Sequence, residues 1–385
     1  MNKRAVKILI FSLLIGITVY IERPILPSLL EMYAIDVKWS GYLFASMSLA
    51  VMIFAPFWGD VGDVRGRKIV LIISLIGMSF AQFIFGLSNS ILVMVISRFI
   101  FGTFFSGVAV SFMAFFNDNY EDYVKSKMIS YNLAVITLGL ALGSLLGGYI
   151  GNLVVLNLVY FFQSFSFIVL AFVIYILYPK ETVYVDIRRQ YIFNLWANIN
   201  RVRGSNLLPG MFITMTFAIG IQVTLNFLEF YLTSENLSII KIGYYIFTLS
   251  MIGVLGNFFV TPKLLKVLDE KTYLVIILIL SGLSLLVTYC WPAIGIYGFM
   301  LLFGLTHNMF KPITTQIISK NAGDIQGVAL GVRETLIHLG MVVGSIIGGM
   351  LISYNPLNIF LFSSVIMFIA SFGFGTLKYL DVCKK

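Results

Sequence analysis

The sequence predicts an all-α membrane protein with twelve transmembrane helices in two pseudo-symmetric bundles of six. Of its 385 residues, 59% are hydrophobic and only 11% are charged, whereas soluble domains carry about 25% charged residues. The chain also contains about twelve apolar runs of the ~20 residues that a helix needs to cross a bilayer. Finally, a glycine pattern in one half of the chain recurs 201 residues later in the other half.

We number the twelve apolar runs as spans 1–12 in chain order. Their predicted cores are 5–30, 39–60, 69–88, 91–116, 128–151, 154–178, 208–233, 241–262, 273–290, 292–318, 327–353 and 356–378. These positions predict an N-terminal bundle over 1–178, a linker over 179–207 and a C-terminal bundle over 208–385.

The repeated glycines lie in spans 5 and 11. The first copy is Gly139, Gly143, Gly147 and Gly148, and the second is Gly340, Gly344, Gly348 and Gly349. Glycines four residues apart let a neighbouring membrane helix approach closely. Internal repeats in a membrane protein are typical of secondary transporters, whose substrate path lies between the repeats.

The linker has apolar residues at helical spacing with arginines around them. These apolar residues are Ile187, Tyr191, Leu195, Ile199 and Val202. The pattern indicates an interfacial amphipathic helix against membrane lipid headgroups. A plain tether between the bundles is the alternative, and the two interpretations are compatible.

The net charge of +9 is explained by topology. Twenty of the 26 lysines and arginines fall in segments that are cytoplasmic if the N-terminus is inside, and only Lys38 and Lys241 fall outside. This distribution follows the positive-inside rule and predicts cytoplasmic termini in a multi-pass plasma-membrane protein. The basic excess therefore indicates no nucleic-acid partner.

Charged residues inside a bilayer are costly and usually face a cavity or a partner. In this chain they are Glu22 and Arg23 in span 1, Arg98 in span 4, Glu229 in span 7, Lys311 in span 10, and Arg333 and Glu334 in span 11. Spans 3, 6, 9 and 12 carry none. The pattern predicts that spans 1, 4, 7 and 10 line a polar path, while every third span faces lipid.

Glu22 and Arg98 fall in the outer halves of antiparallel spans, so an ion pair between them is feasible. We expect Glu22 to point inward, because Arg23 has the longer stem with which to reach the interface. Pro24 and Pro27 follow these adjacent charges and should free backbone carbonyls one turn earlier, which weakens the helix where a gate would bend. A permanent packing salt bridge is the alternative, but a buried pair is a poor source of stability, so we favour a functional pair.

The remaining polar residues allow several interpretations. We expect Glu229 to reach outer water, and His307 and His338 to be hydrogen-bonded or cavity-lining rather than a proton relay. Arg333 and Glu334 are equally well a cytoplasmic gate pair or substrate ligands. The predicted substrate cavity comprises Glu22, Arg98, Asn226, His307, Asn308, Lys311, Arg333, Glu334 and His338.

The sequence contains no catalytic constellation. There is no zinc-ligand spacing, no phosphate-binding P-loop and no GxSxG motif. We therefore predict that the protein is not an enzyme and has neither a metal nor a cofactor, with a proton gradient as its energy source.

Four sequence features carry a family resemblance. The connection between spans 2 and 3 contains Gly59, Asp63, Gly66, Arg67 and Lys68. Their spacing resembles the G-x-x-x-D-x-x-G-R-[R/K] signature of the major facilitator superfamily.

Within that superfamily, the chain resembles the twelve-helix drug:proton antiporter branch. Arg98 with Gly102 matches its R-x3-G motif, and the span 5 glycines match its antiporter motif, with Ser144 where that branch has proline. Lys311-Pro312 resembles a step found in bacterial multidrug exporters.

The resemblance implies an alternating-access fold of two rocking bundles. It implies that Asp63 stabilises the outward-facing state by contact with the second half. It also implies that Glu22 accepts the proton and that Arg98 is its coupling partner. The repeated glycines would form hinge-like packing between the bundles.

The expected function is proton-coupled export of small amphipathic compounds by a monomer, with protons, a small-molecule substrate and membrane lipids as partners. One alternative is a proton-coupled importer or facilitator of a sugar, an organic acid or another nutrient. A second alternative is a non-transporting membrane receptor.

Overall fold

The structure is a computed structural model that describes residues 3–120, 122–178, 202, 207–264, 266–322 and 325–383. Every regular element in these ranges is helical. Eleven of the described helices are long and apolar enough to cross a membrane. Span 1 is not among them, since its first helix begins with Lys3, Arg4 and Lys7 and then breaks. The all-helical membrane fold predicted from the sequence is confirmed.

The helices match the predicted spans closely. Span 1 comprises Lys3–Tyr20 and Leu26–Met32; spans 2 to 7 are Lys38–Arg65, Arg67–Leu87, Ile91–Asn119, Asp122–Leu153, Leu156–Leu177 and Leu208–Ser234. Span 8 comprises Ile239–Leu255, a π-helical turn at Gly256–Val260 and Thr261–Leu264; span 9 is Glu270–Cys290. Span 10 comprises Pro292–Ile294, a π-helical turn at Gly295–Phe299 and Met300–Asn321; spans 11 and 12 are Gln326–Tyr354 and Asn358–Cys383.

The chain falls into two compact units. The first unit contains Met1–Ile192 with Glu235–Phe247, and the second contains Phe193–Ser234 with Thr248–Lys385. The start of span 8 thus groups with the first six spans, whereas the sequence placed it in the C-terminal bundle. The predicted amphipathic linker helix lies outside the described residues, apart from Val202.

Both units use the same helix pairs for packing. In the first unit, span 1 packs along span 5, and span 3 packs along span 6. In the second unit, span 7 packs along span 11, and span 9 packs along span 12. The backbone repeats as well, since span 1 is followed by Ala34 at φ 53° and span 7 by Asn236 at φ 58°. The sequence repeat is therefore a repeat of structure.

Span 1 breaks where its prolines predicted weakness. Residues 21–25 form turns between its two helices. Pro24 has no N–H to donate to the helix, and Pro27 lies in the first turn of the second helix, where it is tolerated. Ile25 and Leu26 instead donate their N–H groups to the Glu22 carbonyl, at 3.0 and 3.1 Å. The break places Glu22 in the turns between the two helices of span 1, two residues beyond the end of the first helix.

The repeated glycines bring the paired helices into backbone contact. A Cβ at Gly139 would lie 2.9 Å from Gly16 Cα, and one at Gly143 would overlap the Ile17 carbonyl. In the second unit, a Cβ at Gly344 would lie 2.7 Å from the Ile219 carbonyl oxygen. These contacts join helices of a single unit, and the hinge-like packing between bundles that the resemblance implied stays a prediction.

The other glycines of the repeat lie close by. Gly147 meets the Ile21 carbonyl, Gly340 meets Met215, and Gly348 meets the Phe227 ring, while Gly349 is buried.

Gly148 faces a different neighbour within the first unit, because its Cβ would lie 3.2 Å from Gly243 Cα on span 8. The adjacent glycines 147 and 148 therefore serve two different helix contacts.

Candidate functional site

The first unit contains a buried ion pair between spans 1 and 4. Arg98 Nη1 donates to Glu22 Oε1 at 2.5 Å, and Nη2 donates to Oε2 at 2.8 Å. The Arg98 side chain is 3% exposed and the Glu22 side chain 13%. This parallel two-bond geometry is the strong form of the arginine–carboxylate interaction. The predicted inward orientation of Glu22 and its pairing with Arg98 are confirmed.

Two buried glutamines extend the pair to spans 3 and 6. Gln82 Nε2 donates to Glu22 Oε2 at 3.0 Å and to Gln163 Oε1 at 2.8 Å. Gln163 Nε2 in turn donates to the carbonyl oxygens of Thr18 and Val19, at 2.7 and 3.1 Å. These carbonyls lie just before the break in span 1, so the glutamine chain fixes the backbone that carries Glu22.

Aromatic rings form one side of the pair. The Arg98 guanidinium lies over the Phe85 ring, with Cζ 4.2 Å from the ring centroid. The Phe85 ring packs on Tyr160 with the centroids 4.7 Å apart, and both residues are fully buried. A cation over an aromatic face is stabilised by the ring quadrupole, most strongly where water is excluded. The positive charge of Arg98 is therefore stabilised by both the Glu22 carboxylate and the face of the Phe85 ring.

The sequence did not single out either glutamine. Spans 3 and 6 carry no charge, and the charge pattern predicted that they face lipid. Gln82 and Gln163 are nevertheless each 1% exposed and face the interior of the unit, while Phe80 and Phe165 on the same spans are exposed. A glutamine within an otherwise apolar span was the available signal, because a buried amide needs hydrogen-bond partners.

The second unit contains a different charged cluster, between spans 10 and 11. Arg333 Nη1 donates to Glu334 Oε1 at 2.6 Å, and Nη2 donates to Thr314 Oγ1 at 2.7 Å. Arg333 is 1% exposed, whereas the Glu334 side chain is 42% exposed. Thr314 was not among the predicted site residues.

The other predicted cavity residues of the second unit are half-buried. His307 Nδ1 lies 2.9 Å from the Phe303 carbonyl oxygen of its own helix, as expected for a hydrogen-bonded histidine. Asn308 donates to the Gly304 carbonyl at 3.2 Å. Asn226 and His338 lie on spans 7 and 11. The Lys311 side chain lies outside the described part of the structure.

Glu229 does not reach outer water, so that expectation is wrong. The residue is 3% exposed and lies among the buried residues of span 7. Glu229 does lie near the end of Leu208–Ser234, as the sequence predicted, but its side chain is directed toward neighbouring helices. Sequence position gives depth along a helix, whereas burial depends on the neighbouring helices.

The turn between spans 2 and 3 is held by a local ion pair. Gly66 has φ 91°, a conformation that favours glycine. Across this turn Arg67 donates to the Asp63 carboxylate, and its Nη1 donates to the Gly59 carbonyl oxygen at 3.0 Å. Lys68 Nζ lies 5.1 Å from the Tyr175 ring centroid. The motif residues therefore meet in a single turn.

A family assignment follows from comparison with known proteins. The family model described as Major Facilitator Superfamily matches residues 8–332. The chain belongs to this superfamily.

Two of the relatives are bacterial proteins named for drug resistance. Quinolone resistance protein NorA of Staphylococcus aureus (strain MRSA252) is 26% identical over 349 residues, which cover 89% of this chain and 87% of NorA. Multidrug resistance protein 2 of Bacillus subtilis (strain 168) is 26% identical over 371 residues, which cover 94% of this chain and 91% of the relative.

Solved transporter structures share the fold. The nucleoside transporter NupG has a TM-score of 0.79 at 14% identity, over 97% of this chain and 99% of NupG. A D-xylose-proton symporter has a TM-score of 0.75 at 13% identity, over 97% of both chains. Together with the family assignment, the fold makes this chain a multi-pass membrane transporter of small molecules and not an enzyme.

Proposed function

We propose that the protein is a proton-coupled exporter of small amphipathic compounds in the plasma membrane, working as a monomer by alternating access. The observation that carries the proposal is the buried pair of Glu22 and Arg98, joined to Gln82 and Gln163. Such a pair is weak evidence for a stabilising role, because desolvation offsets much of the attraction between the charges. A protonatable carboxylate inside a transporter is more readily explained as a coupling site.

In the proposed cycle, Glu22 alternates between two partners, Arg98 and a proton. When it is ionised, it accepts three hydrogen bonds from Arg98 and Gln82. When it is protonated, its negative charge is removed, and the Arg98 interaction loses most of its strength. Helix movement that separates the pair therefore favours proton uptake, and movement that restores the pair favours proton release.

The direction of transport is inferred from the relatives. Both NorA and Multidrug resistance protein 2 carry names that refer to drug resistance. The sequence motifs around Arg98 and in span 5 resemble the same branch. The solved nucleoside and xylose transporters are too distant in sequence to support a substrate, so nutrient import remains the second candidate.

Everted membrane vesicles distinguish the two directions. The lumen of such vesicles corresponds to the cell exterior. If the vesicle lumen is acidified, an exporter exchanges outgoing protons for incoming substrate and concentrates the substrate inside. A proton symporter would instead carry substrate out of the lumen together with the protons.

The assay uses fluorescent amphipathic dyes of positive, zero and negative charge. We expect at least one dye to accumulate only while the lumen is acidic, and to leave when nigericin collapses the pH gradient. Vesicles without the protein provide the background. Gradient-dependent loss of dye from preloaded vesicles would establish import, and no gradient effect for any dye would contradict proton coupling.

A further inference from the structure

Span 11 carries two adjacent charges in different surroundings. The Arg333 side chain is 1% exposed, while the Glu334 side chain bonded to it is 42% exposed. Removing the partner of a buried charge is strongly unfavourable. In the second unit, a fully buried guanidinium is thus bonded to a carboxylate that is partly exposed.

The guanidinium itself is fixed in place. Arg333 Nη2 donates to Thr314 Oγ1 at 2.7 Å, and the Thr314 hydroxyl donates to the Phe310 carbonyl at 3.0 Å. Because the threonine proton is directed to its own helix, a lone pair of Oγ1 faces Arg333. The guanidinium thus bridges spans 10 and 11 through a hydrogen bond that does not involve Glu334.

The Glu334 carboxylate, by contrast, is partly exposed and lies beside an open part of the helix surface. Gly331 lies three residues before Glu334 on the same helix face, and a Cβ built on it would meet nothing within 4 Å. Glu334 lies eight residues into Gln326–Tyr354, about 12 Å along the helix. A carboxylate at such depth is costly against lipid, so we infer that Glu334 faces water.

We propose that Arg333 binds the carboxylate of an amphipathic substrate, and that Glu334 is an internal competitor that occupies Arg333 when the site is empty. A substrate carboxylate has the same shape and charge as the Glu334 carboxylate and matches the planar donors of arginine. When the substrate leaves, Glu334 returns and the buried cation is compensated again. The proposal rests on the proposed function and specifies its substrate class.

An internal competitor has a measurable signature. The apparent affinity of a ligand is reduced by the fraction of time that its site is available. Glu334→Gln removes the competing charge and should therefore tighten the binding of a carboxylate ligand, by about tenfold if the site is free about a tenth of the time. If Glu334 instead bound the cationic group of a substrate, Glu334→Gln would weaken the binding of that substrate.

The test is equilibrium binding to the purified full-length protein in detergent, without a proton gradient. The probes are 11-(dansylamino)undecanoic acid and the matched amine N-dansyl-1,11-diaminoundecane. Thr335→Val is the control, since Thr335 lies on the same helix and its hydroxyl donates to the Gly331 carbonyl at 3.0 Å. We expect Glu334→Gln to tighten the acid probe only, Arg333→Gln to lose it, and Thr335→Val to match the wild type.

Two results would overturn the proposal. One is that Glu334→Gln binds the acid probe no more tightly than the wild type. The other is that Glu334→Gln binds the acid and amine probes more tightly by the same factor, which would show that the effect does not depend on the carboxylate. If Arg333→Gln does not fold, the sign of the Glu334→Gln effect still decides. Binding is measured without a proton gradient, so the outcome of this test is independent of proton-driven export. The vesicle assay tests proton-driven export separately.

Discussion

Arg98 and Arg333 are both buried arginines, but their charges are compensated in different ways. The Glu22 partner of Arg98 is 13% exposed and is bonded through both oxygens. The Glu334 partner of Arg333 is 42% exposed. The burial of Glu22 limits the access of water to its carboxylate. The exposure of Glu334 allows a substrate carboxylate to replace it on Arg333. This difference is why we assign proton coupling to Glu22 and substrate recognition to Arg333.

Gln163 should be a positioning residue for Glu22. Replacing it with leucine removes its bonds to the Thr18 and Val19 carbonyls and to Gln82. We expect Gln163→Leu to lower the free energy of unfolding by about 1–3 kcal/mol, because buried polar groups lose their partner. Thermal unfolding in detergent measures this change.

The control is Ser166→Ala on the same span. The Ser166 hydroxyl donates to the Phe162 carbonyl of its own helix at 2.8 Å, in exposed surroundings. This variant should unfold like the wild type. A Gln163→Leu protein of wild-type stability would show that the glutamine chain does not hold span 1.

Asp63→Asn should affect transport without affecting the fold. The Asp63 side chain is 64% exposed, while its Arg67 partner is only 11% exposed and keeps the Gly59 carbonyl as a second acceptor, so we expect the loss of the carboxylate charge to cost little stability. The resemblance assigns Asp63 to conformational control, so we expect slower transport and altered cytoplasmic accessibility of introduced cysteines. Normal transport with unchanged accessibility would count against that role.

At the scale of helices, the glycine spacing identified helix contacts but not the partner helix. Gly143 and Gly344 have equivalent roles, since they meet the carbonyls of Ile17 and Ile219 in the two units. The spacing of four residues predicts close approach on one helix face. It carries no information about which neighbour approaches, and for this reason packing on span 1 was not predicted.

Adding a methyl group at these contacts should destabilise the protein. Gly143→Ala forces its Cβ against the Ile17 carbonyl, and overpacking of this kind typically costs about 1–3 kcal/mol. Gly375→Ala in span 12 is the matched control, because its Cβ would meet nothing within 4 Å. We expect a lower thermal unfolding temperature only for Gly143→Ala. Equal temperatures for both variants would contradict the close approach.

The sequence predicted the spans and the Glu22–Arg98 pair for physical reasons. The length of an apolar run determines where a helix can cross a membrane. Charged residues within a membrane span usually pair with opposite charges, because an unpaired charge there is costly. The partners of Gln82 and the burial of Glu229 were not predictable in this way. Both depend on how helices rotate against their neighbours, and span 3 and span 7 have apolar residues on every face.

At the scale of the whole chain, the two units share their helix packing but not their polar residues. The offset of 202 residues that relates Ile17 to Ile219 places Thr224 at the position equivalent to Glu22. Thr224 is buried and carries no charge. Gene duplication can explain the common framework, while the charged groups differ because each unit performs a different task in the proposed cycle.

The proposed topology can be tested with the two native cysteines. Cys290 is exposed at the end of span 9, and Cys383 ends span 12. With cytoplasmic termini, a membrane-impermeant thiol reagent applied to intact cells should label Cys290 and miss Cys383. Single-cysteine variants, Cys290→Ser and Cys383→Ser, separate the two signals. Labelling of Cys383 without permeabilisation would refute the orientation.

The central claim is that Glu22 couples proton movement to transport, and reconstituted Glu22→Gln protein tests it most directly. Proteoliposomes with and without an imposed pH gradient are compared for the dye that the vesicle assay identifies. We expect Glu22→Gln to retain exchange of dye across the membrane without a gradient, because glutamine preserves the shape of the site. It should lose gradient-driven accumulation, because it cannot take up a proton. Accumulation at the wild-type level by Glu22→Gln would contradict the account and assign coupling to another residue.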